Sequence, residues 1–380
     1  MSRSGAFGVA VSALLLATVV AGRARADGWD FQLPHGFPSP RIPADNPLTS
    51  AKVELGRYLF YDTRLSANET QACATCHQQA RAFTDGRARA VGSTGQVHPR
   101  GSMSLVNVAF ASALAWANPN LHRLEDQALI PMFGVDPIEL GMTAPGDALT
   151  ARLEAVPIYA RLFADAFPAD PTPVTVEHVR QSLASFERTI ISARSPYDRY
   201  HFEREDDAIS ADAKRGEVLF FSQPLSCFRC HSGFNFSGAV ETEGGDPRSP
   251  EFHNTGLYNL STALSYPPPN TGTYEVTHDP SDVGKFKVPT LRNIAVTAPY
   301  MHDGSIETLD AVLDHYAAGG RTISSGPYAG VGHDNPNKSP IVHGFVLTPS
   351  QRADLIAFLE TLTDRALLTD ERLSNPWKKK

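Results

Sequence analysis

The chain has 380 residues, with 34 Lys and Arg against 41 Asp and Glu, a formal net charge of −7. An acidic balance without a basic stripe argues against nucleic acid as a partner, and the length argues for two domains rather than one. With 28 glycines and 29 prolines the chain is loop-rich, so something besides a large regular core must organise it.

The first stretch reads as an export signal. Arg3 supplies a positive start, Ala6 to Val20 form an apolar run, and Ala24-Arg25-Ala26 offers an A-x-A cleavage site. Residues 1–26 are expected to be a cleaved signal peptide and the mature protein to be periplasmic. Removal takes away Arg3, Arg23 and Arg25 and no acid, so the net charge would pass from −7 to −10. No later segment is long and apolar enough to span a membrane.

Next come two related stretches. Glu54-Leu55-Gly56-Arg57-Tyr58-Leu59-Phe60 precedes Cys73-Ala74-Thr75-Cys76-His77, and Lys214-Arg215-Gly216-Glu217-Val218-Leu219-Phe220 precedes Cys227-Phe228-Arg229-Cys230-His231. Each C-x-x-C-H is an attachment site for a c-type haem. Its two thiols add to the haem vinyl groups and its histidine coordinates iron. Two copies that use all four cysteines point to two covalently bound haem c groups, with His77 and His231 as proximal ligands. Export fits this reading, because bacterial haem c is attached outside the cytoplasm. Each iron keeps a sixth position, and its occupant separates an electron-transfer site from one that binds peroxide or oxygen. The repeated apolar stretches predict a helix against each haem, with Gly56 and Gly216 allowing the porphyrin to approach.

Other helices follow from apolar spacing. Val179, Leu183, Phe186 and Ile190 share a face behind Thr175 as N-cap. Thr348-Pro349-Ser350-Gln351 is a capping box with proline at the first helical position, and Leu355, Ile356, Phe358, Leu359 and Leu362 form the stripe that follows. No segment is strand-rich. Residues 241–285 and 319–345 read as long loops, and Lys378-Lys379-Lys380 as a solvated tail. The expected fold is mainly α: two cytochrome c-like helical domains, each with one covalent haem, joined by long irregular loops. The polar run His201 to Asp207 sets the boundary, giving an N-terminal haem domain at 27–205 and a C-terminal one at 206–380.

Lys287-Val288-Pro289-Thr290-Leu291-Arg292-Asn293 and Thr297-Ala298-Pro299-Tyr300-Met301-His302-Asp303-Gly304-Ser305 resemble the C-terminal signature of bacterial dihaem cytochrome c peroxidases and the related MauG enzymes. The resemblance covers nearly the whole mature chain. Leu33-Pro34-His35-Gly36-Phe37-Pro38 and Trp116-Ala117-Asn118-Pro119 are similar to the methanobactin-associated subgroup, MbnH. Leu124-Glu125-Asp126-Gln127, Pro131 and Pro137-Ile138-Glu139 resemble the family's distal pocket over the N-terminal haem. This implies Glu139 as the catalytic acid–base and Gln127 and Pro131 as pocket walls, although the Gln127-to-Glu139 spacing is two residues longer than in the peroxidases. Trp116 falls where the family has a tryptophan between the haems. His98 lies in the loop where classical peroxidases keep a removable distal histidine. Its offset differs, so a five-coordinate N-terminal iron is expected, with His98 an ordinary loop residue.

Tyr316 aligns with the axial methionine of the peroxidases and is tyrosine here, as in MauG. A phenolate favours ferric and higher-valent iron, whereas methionine raises the potential. Met301 and His315 are the competing ligands for the His231 haem. Thr297 and Pro299 match positions whose carbonyls bind calcium in the family. The family's asparagine ligand aligns near Gly101, which has no side chain, and Asn107 is nearby but out of register. Calcium is thus left open.

The resemblance implies an exported dihaem oxidoreductase that uses hydrogen peroxide to form a high-valent dihaem state and oxidise a tryptophan or tyrosine on a partner protein. One alternative is a cytochrome c peroxidase that reduces peroxide to water with electrons from small redox proteins. The other is a non-catalytic dihaem electron carrier.

Overall fold

The computed structural model describes residues 29–143, 147–245 and 250–378. The expected signal peptide and the last two lysines of the tail lie outside the described residues. Two pairs of crossed helices carry the architecture. The Ser50–Phe60 helix begins where the Thr49 side chain accepts the Lys52 amide, and it packs on the Val176–Glu187 helix, capped likewise by Thr175. The Ala211–Phe220 helix, capped by Ser210, packs on the Pro349–Glu360 helix, which opens with the Thr348/Gln351 capping box. The apolar stripes face inward. Leu55, Leu59, Phe60, Val179, Leu183, Phe186 and Ile190 belong to one core, and Phe220, Leu355, Phe358, Leu359 and Leu362 to another. Burying each such side chain contributes roughly 1.5–3 kcal/mol.

The two repeated glycines have a different purpose from the one expected. A Cβ on Gly56 would stand 1.9 Å from the Ser182 carbonyl oxygen and 2.9 Å from the Phe186 Cβ. A Cβ on Gly216 would stand 2.0 Å from the Asp354 carbonyl oxygen and 2.8 Å from the Phe358 Cβ. Each glycine lets two helices touch at the backbone. The duplication is therefore a duplication of helix crossings, and porphyrin approach is not what these positions provide.

Short antiparallel ladders complete the second half. Phe252–His253 pairs with Phe286–Lys287, and Thr322–Ile323 pairs with Gly330–Val331. Among the described residues these are the named strands, so the fold is helical with little sheet. The halves are locked together by a buried ion pair. Both terminal nitrogens of Arg292 donate to Asp198 at 2.8 Å, and the Arg292 side chain also donates to the Phe234 carbonyl. The chain then returns. Leu367 and Leu373 lie in the first core, with Trp377 packed against it, although they follow the second helix pair. The Gln79 amide donates to the Leu367 and Asp370 carbonyls at 2.9 and 2.8 Å, tying this segment to the turn after His77.

Candidate haem pockets and their ionisable side chains

Both C-x-x-C-H segments fold as a single tight turn, Cys73–Cys76 helical and Cys227–Arg229 as a 3-10 turn. In each, the histidine amide donates to the carbonyl of the first cysteine, at 3.0 Å for His77 and 2.9 Å for His231. The ring is then fixed from the far side. His77 Nδ1 lies 2.9 Å from the Phe83 carbonyl, and His231 Nδ1 lies 3.0 Å from the Phe236 carbonyl. A carbonyl can only accept, so Nδ1 carries the proton and Nε2 keeps its lone pair for a metal. Burial lowers the pKa of both imidazoles, that of His231 to about 4, so they stay neutral. The same burial pushes the thiols of Cys76 and Cys230 up to about 11. None of the four cysteines is in a disulfide. Neutral thiols beside a neutral imidazole with a free Nε2 suit thioether attachment and iron ligation.

A cavity of about 260 Å³ opens beside His231, lined by Cys227, Cys230, Leu355 and Leu359 on the attachment side and by Tyr316 and Met301 among others. An apolar cavity with a few convergent donors is what a flat macrocycle requires. Of the three ligand candidates, Tyr316 and Met301 line it and His315 does not. The His315 ring is buried against the edge of Tyr316, with neither nitrogen hydrogen-bonded. Burial, then the thiols of Cys230 and Cys227, push the Tyr316 phenol well above its ordinary range. The phenol therefore sits within electrostatic reach of both attachment sulfurs, and a metal cation there would reverse the shift. Trp116 lines the same cavity together with Thr84 and Asp85 from the segment after His77. Its indole N–H donates to the Gly101 carbonyl at 3.0 Å, which fixes the ring in the cavity wall.

Gln127 closes the Leu124–Gln127 helix and is half-buried. The preceding turn is anchored by Glu125, which is almost fully buried. It accepts from Arg188 at 2.7 and 3.0 Å and from Asn46 at 2.8 Å. Pro131 lies in the Leu129–Phe133 helix, and its carbonyl accepts the Leu140 amide at 2.8 Å, placing it next to Glu139. The Glu139 carbonyl accepts the Ser93 amide at 2.7 Å, and a Cβ on Gly92 would lie 1.9 Å from the Ile138 carbonyl oxygen, so loop 92–98 holds this acid closely. Burial alone pushes the Glu139 carboxyl up to about 7. Its charge in turn raises the Cys73 and Cys76 thiols, so it lies within electrostatic reach of the first attachment site.

His98 is no ordinary loop residue. Its Nε2 lies 3.8 Å from Glu139 Oε1. The Arg100 amide donates to His98 Nδ1 at 3.2 Å, so the proton of the neutral ring is on Nε2 and faces the acid. Burial first, then Arg100, lower the His98 pKa to about 4. The sequence holds no local signal for this contact, because the two residues come from separate loops.

Thr297 and Pro299 line the cavity. Gly101, near which the resemblance puts an asparagine ligand, has its carbonyl engaged by Trp116. Asn107 is committed elsewhere, accepting the Ser192 amide at 2.7 Å and donating to Ser192 and Asn235 at 3.1 and 3.0 Å. Cys230, Glu251 and His253 form a separate three-donor cluster.

The chain is similar to known proteins over most of its length. Residues 50–207 match the family described as di-haem cytochrome c peroxidase. The methylamine utilization protein MauG of Methylorubrum extorquens is 36% identical over 87% of this chain and 83% of its own. Cytochrome c551 peroxidase of Pseudomonas aeruginosa is 31% identical over 70% of this chain and 72% of its own. A crystal structure of a MauG-like protein associated with microbial copper homeostasis shares 43% identity at a TM-score of 0.89, covering 92% of this chain and 100% of that one.

Proposed function

Because this chain belongs to the dihaem cytochrome c peroxidase and MauG family, and so is a peroxidase-type oxidoreductase, we propose that it is exported and uses peroxide to oxidise a tryptophan or tyrosine side chain on a partner protein. The observation that carries this reading is Tyr316 in the wall of the His231 cavity, within electrostatic reach of Cys227 and Cys230. A phenolate ligand suits a site that stores an oxidising equivalent, and a thioether suits one that relays electrons from a high-potential donor.

Two haem c groups would be held by Cys73, Cys76 and His77 and by Cys227, Cys230, His231 and Tyr316, and when bound they supply the redox chemistry. Glu139 would accept a proton from one peroxide oxygen and return it to the other as the O–O bond breaks. A carboxyl with a pKa of about 7 is suited to both halves of that transfer near neutral pH. The His98 Nε2–H would orient Glu139, while Gln127 and Pro131 bound the space for peroxide. Trp116 would divide the path between the haems into two shorter steps. Calcium would rest on the Thr297 and Pro299 carbonyls. Among the described residues no helix is long and apolar enough to cross a membrane. The 43% identical structure is described as associated with copper homeostasis, so an exported protein from that setting is the first partner to try.

The decisive experiment adds peroxide to the haem-loaded protein with such a partner and looks for oxygen added to tryptophan or tyrosine by mass spectrometry. Tyr316→Met should abolish that modification and raise the potential of the His231 haem, while Met301→Leu should leave both unchanged. Rapid turnover with a reduced small cytochrome and no partner modification would replace this reading with the electron-consuming peroxidase. Two low-spin haems inert to peroxide would replace it with a plain electron carrier.

A further inference from the structure

The helix crossings of the two halves correspond residue by residue. Ser182 and Phe186 meet Gly56 as Asp354 and Phe358 meet Gly216. One position further along, the first half has Glu187 and the second has Leu359. Leu359 lines the cavity beside His231. Glu187 is 6% exposed, and its Oε2 has no hydrogen-bond partner. Its carboxylate is the foremost charge acting on the Cys73 thiol. An acid therefore occupies, beside the first attachment site, the place that leucine takes beside the second.

Among the described residues no ion pair to Glu187 is formed, although the Arg188 charge lowers its pKa. The adjacent Arg188 sends both terminal nitrogens to Glu125, at 2.7 and 3.0 Å. Arg188 and Glu125 are the charges that act on Glu187, and the Ser50–Phe60 helix crossing here meets Ser182 and Phe186 at Gly56. Tyr61 flanks Phe186 at 6.4 Å, and Glu139 reaches Cys73 from the peroxide side. A bound haem would add its own propionates. Burying an unpaired carboxylate is costly, and burial pushes Glu187 up to about 8. An orphaned buried acid of this kind calls for an explanation beyond packing.

We propose that Glu187 couples proton loss to electron loss at the His77 haem, an inference that rests on the two-haem reading above. When the iron gives up one electron, positive charge appears beside the carboxyl. The O–H bond then breaks, the proton passes to solvent water, and the carboxylate offsets the new charge. Reduction reverses both transfers. In turnover peroxide takes the electron, and in the experiment a redox mediator does. Leu359 has no proton to lose, so this position gives the His231 haem no such coupling.

The test is a spectroelectrochemical titration of the full haem-loaded chain at a series of pH values, with redox-difference infrared spectra. Positive charge on the oxidised iron lowers the Glu187 pKa, so the coupled window ends near pH 8 and extends below it. There the potential of one haem should fall with pH, approaching a tenfold change per pH unit, about 59 mV for one electron. The infrared C=O stretch of a neutral carboxyl should be lost on oxidation. Glu187→Gln and Glu187→Leu should each flatten the slope and remove the band, leaving the other haem unchanged. If one variant fails to load haem, the other carries the comparison. A flat wild-type potential, or a slope surviving in the variants, overturns the proposal alone. Absence of thioether-linked haem at Cys73 and Cys76 overturns the two-haem reading and this inference with it.

Discussion

Around Cys73–His77, outside the motif itself, the ionisable groups that burial shifts most are mainly acids held near neutral pH. Glu139 stands at about 7, Glu187 at about 8, and His98 faces the first of them. Around Cys227–His231 bases and phenols predominate, with one acid, Glu251, beside Cys230 and His253. Lys287, lowered to about 8, donates to the Ala113 carbonyl at 3.1 Å, and His302, lowered to about 4, stacks on Phe286 with ring centroids 3.6 Å apart. Tyr316 completes that set. Nearly the same helix crossing supports both pockets, so the difference lies in what the loops and one helix position place against each. Acids poised near neutral pH can move protons, whereas buried neutral imidazoles and a phenol tune and ligate.

The strongest way to break this comparison is Glu139→Gln. If the first pocket does the proton work, peroxide reactivity should fall roughly 10²–10⁴-fold, measured by stopped-flow absorbance, with resting spectra of both haems unchanged. A smaller effect should show the sameness of the scaffolds. Gly56→Ala and Gly216→Ala each press a methyl onto a backbone carbonyl, and overpacking of this kind costs about 1–3 kcal/mol. The helix propensity gained, about 1 kcal/mol, only partly offsets it. Thermal unfolding should report similar losses for both, and a neutral outcome at one site alone would mean that the crossings are not equivalent.

The mildest effect is in pH dependence. The peroxide step needs the Glu139 carboxylate, so its rate should rise through about pH 7 in the wild type and stay level in Glu139→Gln. Stability runs the other way. The unfolded chain ionises this acid near its ordinary 4.5, while the folded pocket holds the proton to about 7, so Glu139 favours unfolding increasingly across that window and constantly above it. Melting temperatures from pH 4 to 8 should show that decline flattened by Glu139→Gln.

The attachment sites were legible because C-x-x-C-H is local: five adjacent residues define the thiols and the imidazole. The helix caps at Thr175 and Thr348 were legible for the same reason. What Gly56 does was not, since its contact is a carbonyl of Ser182, far along the chain. The pairing of His98 with Glu139 was hidden likewise, as two loops meet there without a shared pattern. Glu187 did leave a trace. It follows Leu183 by four residues and so falls on the apolar face of Val179, Leu183, Phe186 and Ile190, where an acid is out of place. Reading that face as core alone passed over it.

The return of residues 367–377 to the first core bears on how the protein is made. Gln79, two residues beyond His77, is held by carbonyls of Leu367 and Asp370, and the Trp377 indole donates to the Tyr58 carbonyl at 3.0 Å. The first core therefore lacks part of its packing until residues 367–377 have been made. A protein cut short after the second helix pair would keep both C-x-x-C-H motifs and lack the clasp over the first.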